Sequence, residues 1–189
     1  IALSEENVRQ GGGPFGAVIV KDGEVVATGT NRVTASHDPT AHAEVSAIRA
    51  ACQRLGTFDL SGCDIYTSCE PCPMCLGAIY WAHLDHIYYG NNKADAARIG
   101  FDDSFIYEEL SLERDRRHKP MTELLPHEAK AAFRAWEEEQ QDWFFLQEVW
   151  DASEGSFRWG YYPPSVFQIA LWFPEEDALV LSGACERYA

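Results

Sequence analysis

His42-Ala43-Glu44, followed further on by Pro71-Cys72-Pro73-Met74-Cys75, is the stretch from which the rest of this chain is organised. It supplies one imidazole, two thiols and a carboxylate that a metal does not need as a ligand. Zinc takes imidazole nitrogen and thiolate sulfur readily, and a working zinc site keeps one tetrahedral position open for water. His42, Cys72 and Cys75 therefore make a complete ligand set, and Glu44 is left free to move protons. Cys72 and Cys75 are three apart and share a face if a helix starts near Cys72. Pro71 and Pro73 fit such a start, because proline tolerates a first turn whose N–H groups have no partner. The helix dipole and a metal both favour thiolate at that position. His42 and Glu44 open an apolar-periodic segment, Val45, Ile48, Ala51, Cys52 and Leu55, which predicts a helix from about Ala41 to Leu55 closing at Gly56. A two-residue spacing does not place side chains on one face, so Glu44 has to bend back over the metal position.

Outward from these helices the pattern alternates. Phe15 to Val20 and Glu24 to Asn31 read as strands joined by Asp22-Gly23, a strong hairpin signal. Cys63 to Thr67 reads as a short strand, Cys72 to Ala82 as the second ligand-bearing helix and His86 to Tyr89 as another strand. Strands alternating with helices after the hairpin imply parallel pairings, with helices covering the sheet faces. The expectation is an α/β fold, three layers deep as α/β/α, with a mixed central sheet. Both ligand-bearing helices then begin beyond strand ends, where such sheets place their sites.

Other readings of the cysteines stand beside this one. A lone C-x-x-C is often a redox pair, and the upstream H-x-E is what turns it toward zinc. A structural zinc site needs a fourth protein ligand, for which Cys69 is the nearest candidate, at the expense of the water position. Cys52, Cys63 and Cys185 read as small buried apolar residues. His37, His83, His86, His118 and His127 have no ligand spacing.

Composition narrows the partners. A chain of 189 residues is long enough for one domain with a real core and an appendage. Its net charge of −15 argues against a nucleic-acid partner, because phosphate binding needs clustered Lys and Arg, and a small neutral substrate fits better. Six cysteines with two committed to metal do not make a secreted disulfide framework, so a reducing, cytoplasmic location is expected. No apolar run reaches the roughly 18 residues of a membrane span, and no signal peptide is visible. The chain begins at Ile1, and its opening segment reads as the end of a helix whose start is missing.

The H-x-E and P-C-x-x-C pair is the pattern of zinc nucleobase deaminases. Three blocks carry the resemblance at that level: Gly13-Pro14-Phe15-Gly16-Ala17-Val18-Ile19-Val20, Asp38-Pro39-Thr40-Ala41-His42-Ala43-Glu44-Val45, and Thr67 through Trp81. A fourth, Gly100-Phe101-Asp102-Asp103-Ser104-Phe105-Ile106-Tyr107, is more specific. With it, the chain from about Gly12 to Trp136 resembles guanine deaminases of the bacterial, cytidine-deaminase-like type. The resemblance implies a cytidine-deaminase-like fold, a zinc ion and hydrolysis of guanine to xanthine and ammonia. It also implies a pocket in which Asn31 and Asp103 hydrogen-bond the purine while aromatic groups pack on its faces, with Trp81 and Phe15 as candidate walls. Plainer roles remain open for each: Asn31 closing a strand, Asp103 capping a helical turn, the two aromatics belonging to the core. Guanosine or another nucleobase is the nearest alternative substrate. A non-catalytic zinc-stabilised binding module is a distant alternative, against which the unliganded Glu44 argues.

After Trp136 the chain departs from that family, where the resemblance implies a homodimer, domain-swapped, with a terminal tyrosine reaching the neighbouring subunit's site. Counting without gaps puts Phe145 where the tyrosine falls, and the chain continues to Ala189. The expected division is a deaminase domain over residues 1–142 and an aromatic-rich extension over residues 143–189. Exposed rings in such number form an apolar patch that monomers rarely tolerate, so the extension is expected to pack on the domain or on a partner subunit.

Overall fold

The structure is a computed structural model that describes residues 1–144 and, beyond them, the strand segments 149–151, 156–158, 170–173 and 178–181. It divides into two compact units, Ile1–Met121 and Thr122–Ala189.

In the first unit, helix α1 (Ala2–Arg9) precedes strands β1 (Gly16–Lys21) and β2 (Glu24–Thr30). Asp22 and Gly23 both take positive φ, 51° and 80°, the twist that a two-residue turn needs to match a right-handed strand pair. Lys21 accordingly faces Glu24 across an antiparallel ladder. A short helix α2 (Val33–Ser36) leads to α3 (Ala43–Leu55), which closes at Gly56 in the left-handed conformation, φ 68°, where the absent Cβ removes the strain. Strand β3 (Cys63–Cys69), helix α4 (Pro73–Trp81) and strand β4 (His86–Asn91) follow.

The sheet order is β2-β1-β3-β4. The crossover through α3 returns β3 in the direction of β2, but β1 lies between them, so β3 pairs antiparallel with β1. The crossover through α4 then lays β4 parallel on β3. The sheet is mixed, as expected, with its adjacent parallel pairing after the hairpin confined to β3 and β4.

Two glycines show how the layers form. Gly16 pairs with Thr30 and Ala17 with Gly29, so Gly16 and Gly29 face opposite sides of the sheet. A Cβ on Gly16 meets Leu3 and Ser4 of α1 at 3.0 Å, whereas a Cβ on Gly29 falls 2.2 Å from the Ala43 carbonyl and 2.5 Å from the Ala47 amide of α3. Helices therefore cover both faces, giving the α/β/α arrangement. Ala43, Ala47 and Ala51 present a small-residue stripe that lets α3 lie close on the strands. With Ile19, Ile65, Leu60 and Ile79 they form the core.

Past β4 come α5 (Lys93–Arg98), entered through a capping box between Asn92 and Asp95, α6 (Ser104–Ser111) and a 3-10 turn at Arg114–Arg116. The second unit contains α7 (Pro126–Phe144) and two antiparallel ladders. One pairs β5 (Val149–Asp151) with β6 (Ser156–Arg158), the other β7 (Ala170–Phe173) with β8 (Ala178–Leu181). Helix α7 runs through the 142/143 division expected from sequence. Strands of three or four residues are too short for a period of two to show, which is why the extension has no readable pattern. Phe145, and with it the comparison to a terminal tyrosine, lies outside the described residues, as does the packing expected of the extension's side chains.

Candidate active site

His42 and Cys72 occupy equivalent places, each the N-cap of its helix, α3 and α4, with extended backbone and no side-chain capping bond. An N-cap side chain normally serves the helix's free N–H groups; here both stay available for another task. Pro73 at the first position of α4 needs no N–H partner, and Cys75 follows in the first turn, fully buried. His42 Nδ1 lies 3.5 Å from each sulfur, Cys72 Sγ and Cys75 Sγ. Zinc–nitrogen and zinc–sulfur bonds of about 2.0 and 2.3 Å at a tetrahedral angle subtend about 3.5 Å, so the donor set fits the metal. Among the described residues these three form the single grouping of His, Cys, Asp or Glu side chains able to hold one.

The electrostatics agree with the donor chemistry. A hydrogen bond from Cys75 holds the pKa of Cys72 down at about 4, and the same contact pushes that of Cys75 up, so the pair keeps one proton between them. A bound cation takes both as thiolates. Hydrogen bonding to Cys72 raises the pKa of His42.

Glu44 is 7% exposed, and its Oε2 lies 3.4 Å from Cys75 Sγ. The side chain does bend back to the metal position from one residue inside α3. Burial raises its pKa. Cys69 is not part of the donor set; its thiol is directed at the Asn92 carbonyl at 3.7 Å, which leaves no fourth protein ligand among the described residues.

These groups open onto a cavity of about 370 Å³. Asn31, Asp103 and Phe15 line it, along with His42, Cys72 and Glu44. Asn31 Oδ1 accepts the Val33 N–H at 3.3 Å, so its Nδ2 hydrogens remain to donate elsewhere. Asp103 precedes α6 without capping it. The neighbouring Asp102 bonds the Ser104 N–H instead, at 3.0 Å, which frees Asp103 to face the cavity, where burial raises its pKa.

Trp81 is not brought to this cavity. Cys75 and Ile79 face inward along α4, so a residue two places beyond Ile79 turns outward, and Trp81 is 84% exposed. Phe101 stands in the place expected of it. It meets Phe15 edge to face, with centroids 4.9 Å apart, and both line the cavity. Sequence reasoning passed over Phe101 although it sits two residues before Asp103, just after Gly100 with φ 91°. Lys93 and Glu70 also line the cavity, and no local signal marked them. Lys93 Nζ sits 5.0 Å above the Tyr107 ring, whose hydroxyl bonds the Pro71 carbonyl at 3.3 Å and so steadies the turn before Cys72.

Comparison with known proteins gives the same picture. Residues 1–91 match the cytidine and deoxycytidylate deaminase zinc-binding region. The chain is 55% identical over 137 residues to guanine deaminase of Bacillus subtilis, covering 72% of this chain and 88% of that one. The X-ray structure of guanine deaminase from Bacillus subtilis superposes with a TM-score of 0.71 at 54% identity, over 73% of this chain and 88% of the other. A structure of guanine deaminase from Nitrosomonas europaea matches at a TM-score of 0.52 and 37% identity, over 54% of this chain and 60% of the other.

Proposed function

This chain belongs to the guanine deaminases of the cytidine-deaminase-like zinc type, and from that premise we propose that it hydrolyses guanine to xanthine and ammonia. The observation that carries the reading is a buried, unliganded Glu44 beside a three-donor metal site, on a cavity that also holds Asn31 and Asp103.

His42, Cys72 and Cys75 would hold the zinc. When bound, the ion supplies Lewis acidity that brings the pKa of a water toward neutrality. Glu44 would serve as the proton carrier, accepting a proton from the attacking water, returning it to the ring nitrogen adjoining C2, and then passing the proton of the added hydroxyl to the exocyclic amine as the C2–N bond breaks. Guanine and water thus leave as xanthine and ammonia. Asn31 presents its Nδ2 hydrogens to a purine acceptor, because its oxygen is occupied by Val33. Asp103 accepts from purine N–H groups. Phe15 and Phe101 enclose the ring.

The proposal extends to the assembly: a homodimer, domain-swapped, in the cytoplasm. Its support is surface that water alone serves poorly, Tyr66 stacked on Tyr88 at 4.6 Å with both about half exposed, and the outward Trp81. Sedimentation at several concentrations tests the dimer. Free thiols at Cys52, Cys63 and Cys69 fit a reducing compartment. Among the described residues no helix is long and apolar enough to cross a membrane.

Zinc-loaded protein assayed side by side with guanine, guanosine, adenine and cytosine tests the reaction. Ammonia release with guanine as the preferred substrate is expected. Preference for guanosine transfers the proposal to the nucleoside, and turnover of none of the four removes it.

A further inference from the structure

Asn7 lies on α1, outside the chemistry described above, yet it is a polar side chain only 7% exposed. Its Nδ2 donates to two carbonyls on separate loops, Gly13 at 2.8 Å and Asn31 at 2.9 Å. Both acceptors belong to residues that line the substrate cavity. The Asn7 carbonyl also accepts the Gly12 N–H at 2.8 Å, so the loop after α1 is held from both ends of one residue. Gly13 O has another donor, the Phe15 N–H at 2.8 Å. The Asn31 carbonyl depends more heavily on Asn7.

The side-chain type follows from the space. A Cβ on Gly12 falls 2.5 to 2.7 Å from the amide atoms of Asn7, so the amide fits against a glycine and nothing larger. Aspartate matches the shape but has no N–H to give two carbonyl oxygens, and glutamine carries one methylene too many. Asn31 is then located from three directions: its carbonyl by Asn7, its N–H by the Phe15 carbonyl at 3.1 Å, and its side-chain oxygen by the Val33 N–H.

We infer that Asn7 is a positioning residue for purine recognition: by tying the Gly13 and Asn31 carbonyls to one nitrogen, it holds the Asn31 amide ready to donate to the base. The inference rests on the guanine reading above. It makes α1, remote from the reacting carbon, a determinant of substrate affinity.

The test uses the full-length, zinc-loaded protein and its Asn7→Ala, Gly12→Ala and Asn31→Ala variants. Asn7→Ala raises KM for guanine roughly tenfold with kcat much less affected, because the lost contact orients the base and not the reacting carbon. Gly12→Ala, which displaces the amide without deleting it, moves KM the same way and serves if Asn7→Ala folds poorly. In an Asn31→Ala background, Asn7→Ala adds no more than about twofold, since the residue it positions is gone. Hydrogen exchange rises locally over residues 12–16 and 31–34 and not over the core strands. An unchanged KM, a full multiplicative loss in the Asn31→Ala background, or unaltered local exchange overturns the inference. Absence of guanine turnover in the parent protein sinks the functional reading instead, and the exchange measurement still decides whether Asn7 holds the two loops.

Discussion

At the scale of single residues the proposed mechanism separates metal holding, by His42, Cys72 and Cys75, from proton transfer, by Glu44. Cys72→Ala and Cys75→Ala each remove a donor and lose zinc as well as turnover, measured by metal analysis of the purified proteins. Glu44→Gln keeps the metal and loses turnover, because the carboxylate approaches Cys75 without completing the donor set. Cys69→Ala keeps the metal too; loss of zinc there recasts the site as structural. Asp103→Ala is expected to lower kcat/KM for guanine at least about tenfold, the loss of roughly 1 to 3 kcal/mol from one buried partner, while the melting temperature holds. The stability part of that prediction follows from the absence of a capping bond: the Asp103 side chain accepts no hydrogen bond from the start of α6, so its removal takes none away. Unchanged kinetics would mean that Asp103 does not read the base.

At the scale of elements, the approach of α3 to β2 is what delivers His42 and Glu44 to the cavity. A methyl group at Gly29 collides with the α3 backbone, not with a flexible side-chain tip. Gly29→Ala therefore costs about 3 kcal/mol or more of stability and weakens zinc binding together with it, by moving the helix start that bears both residues. Thermal melts paired with zinc titration check the two effects; a neutral substitution would show that α3 can slide without consequence. In the last turn of α6, Glu109 binds both His118 Nδ1 at 2.6 Å and the His118 N–H at 2.8 Å. Hydrogen bonding lowers the pKa of Glu109 below 4.5 and raises that of His118 above 6.5. The histidine contribution is fully present below about pH 6.5 and fades as pH rises through its raised value, whereas the glutamate contribution is complete above about pH 4.5 and fades as pH falls through its lowered one. The contact is thus whole between those limits. An NMR titration in which His118 titrates at its ordinary value, or is unmoved by Glu109→Gln, contradicts the pairing.

At the scale of the whole molecule, a zinc ion held by His42, Cys72 and Cys75 would bridge the starts of α3 and α4, which already touch each other and share one hydrophobic core through Ala47, Ile48 and Ile79. Chelation is therefore expected to lower stability without unfolding the protein. At metal a hundredfold above its dissociation constant the loss is about 2.7 kcal/mol, or very roughly 5 to 10 °C in melting temperature for a chain of this length. Calorimetry with and without chelator measures the shift, and added zinc restores it; complete unfolding on chelation would mark the metal as a folding requirement. The sequence alone determined the donor set, the two helix starts, the Asp22-Gly23 hairpin and the block around Asp103, because ligand chemistry, caps and turn conformations are properties of a few neighbouring residues. Tertiary structure decided that β1 lies between β2 and β3, that Asp103 lines the cavity beside Asp102 without capping α6, and that Phe101 lines it while Trp81 does not. It also decided that Asn7 reaches the Asn31 carbonyl. Those outcomes depend on how far each helix is rotated and which distant loops are packed together, and rotation and packing are set by contacts between parts of the chain that no local spacing connects.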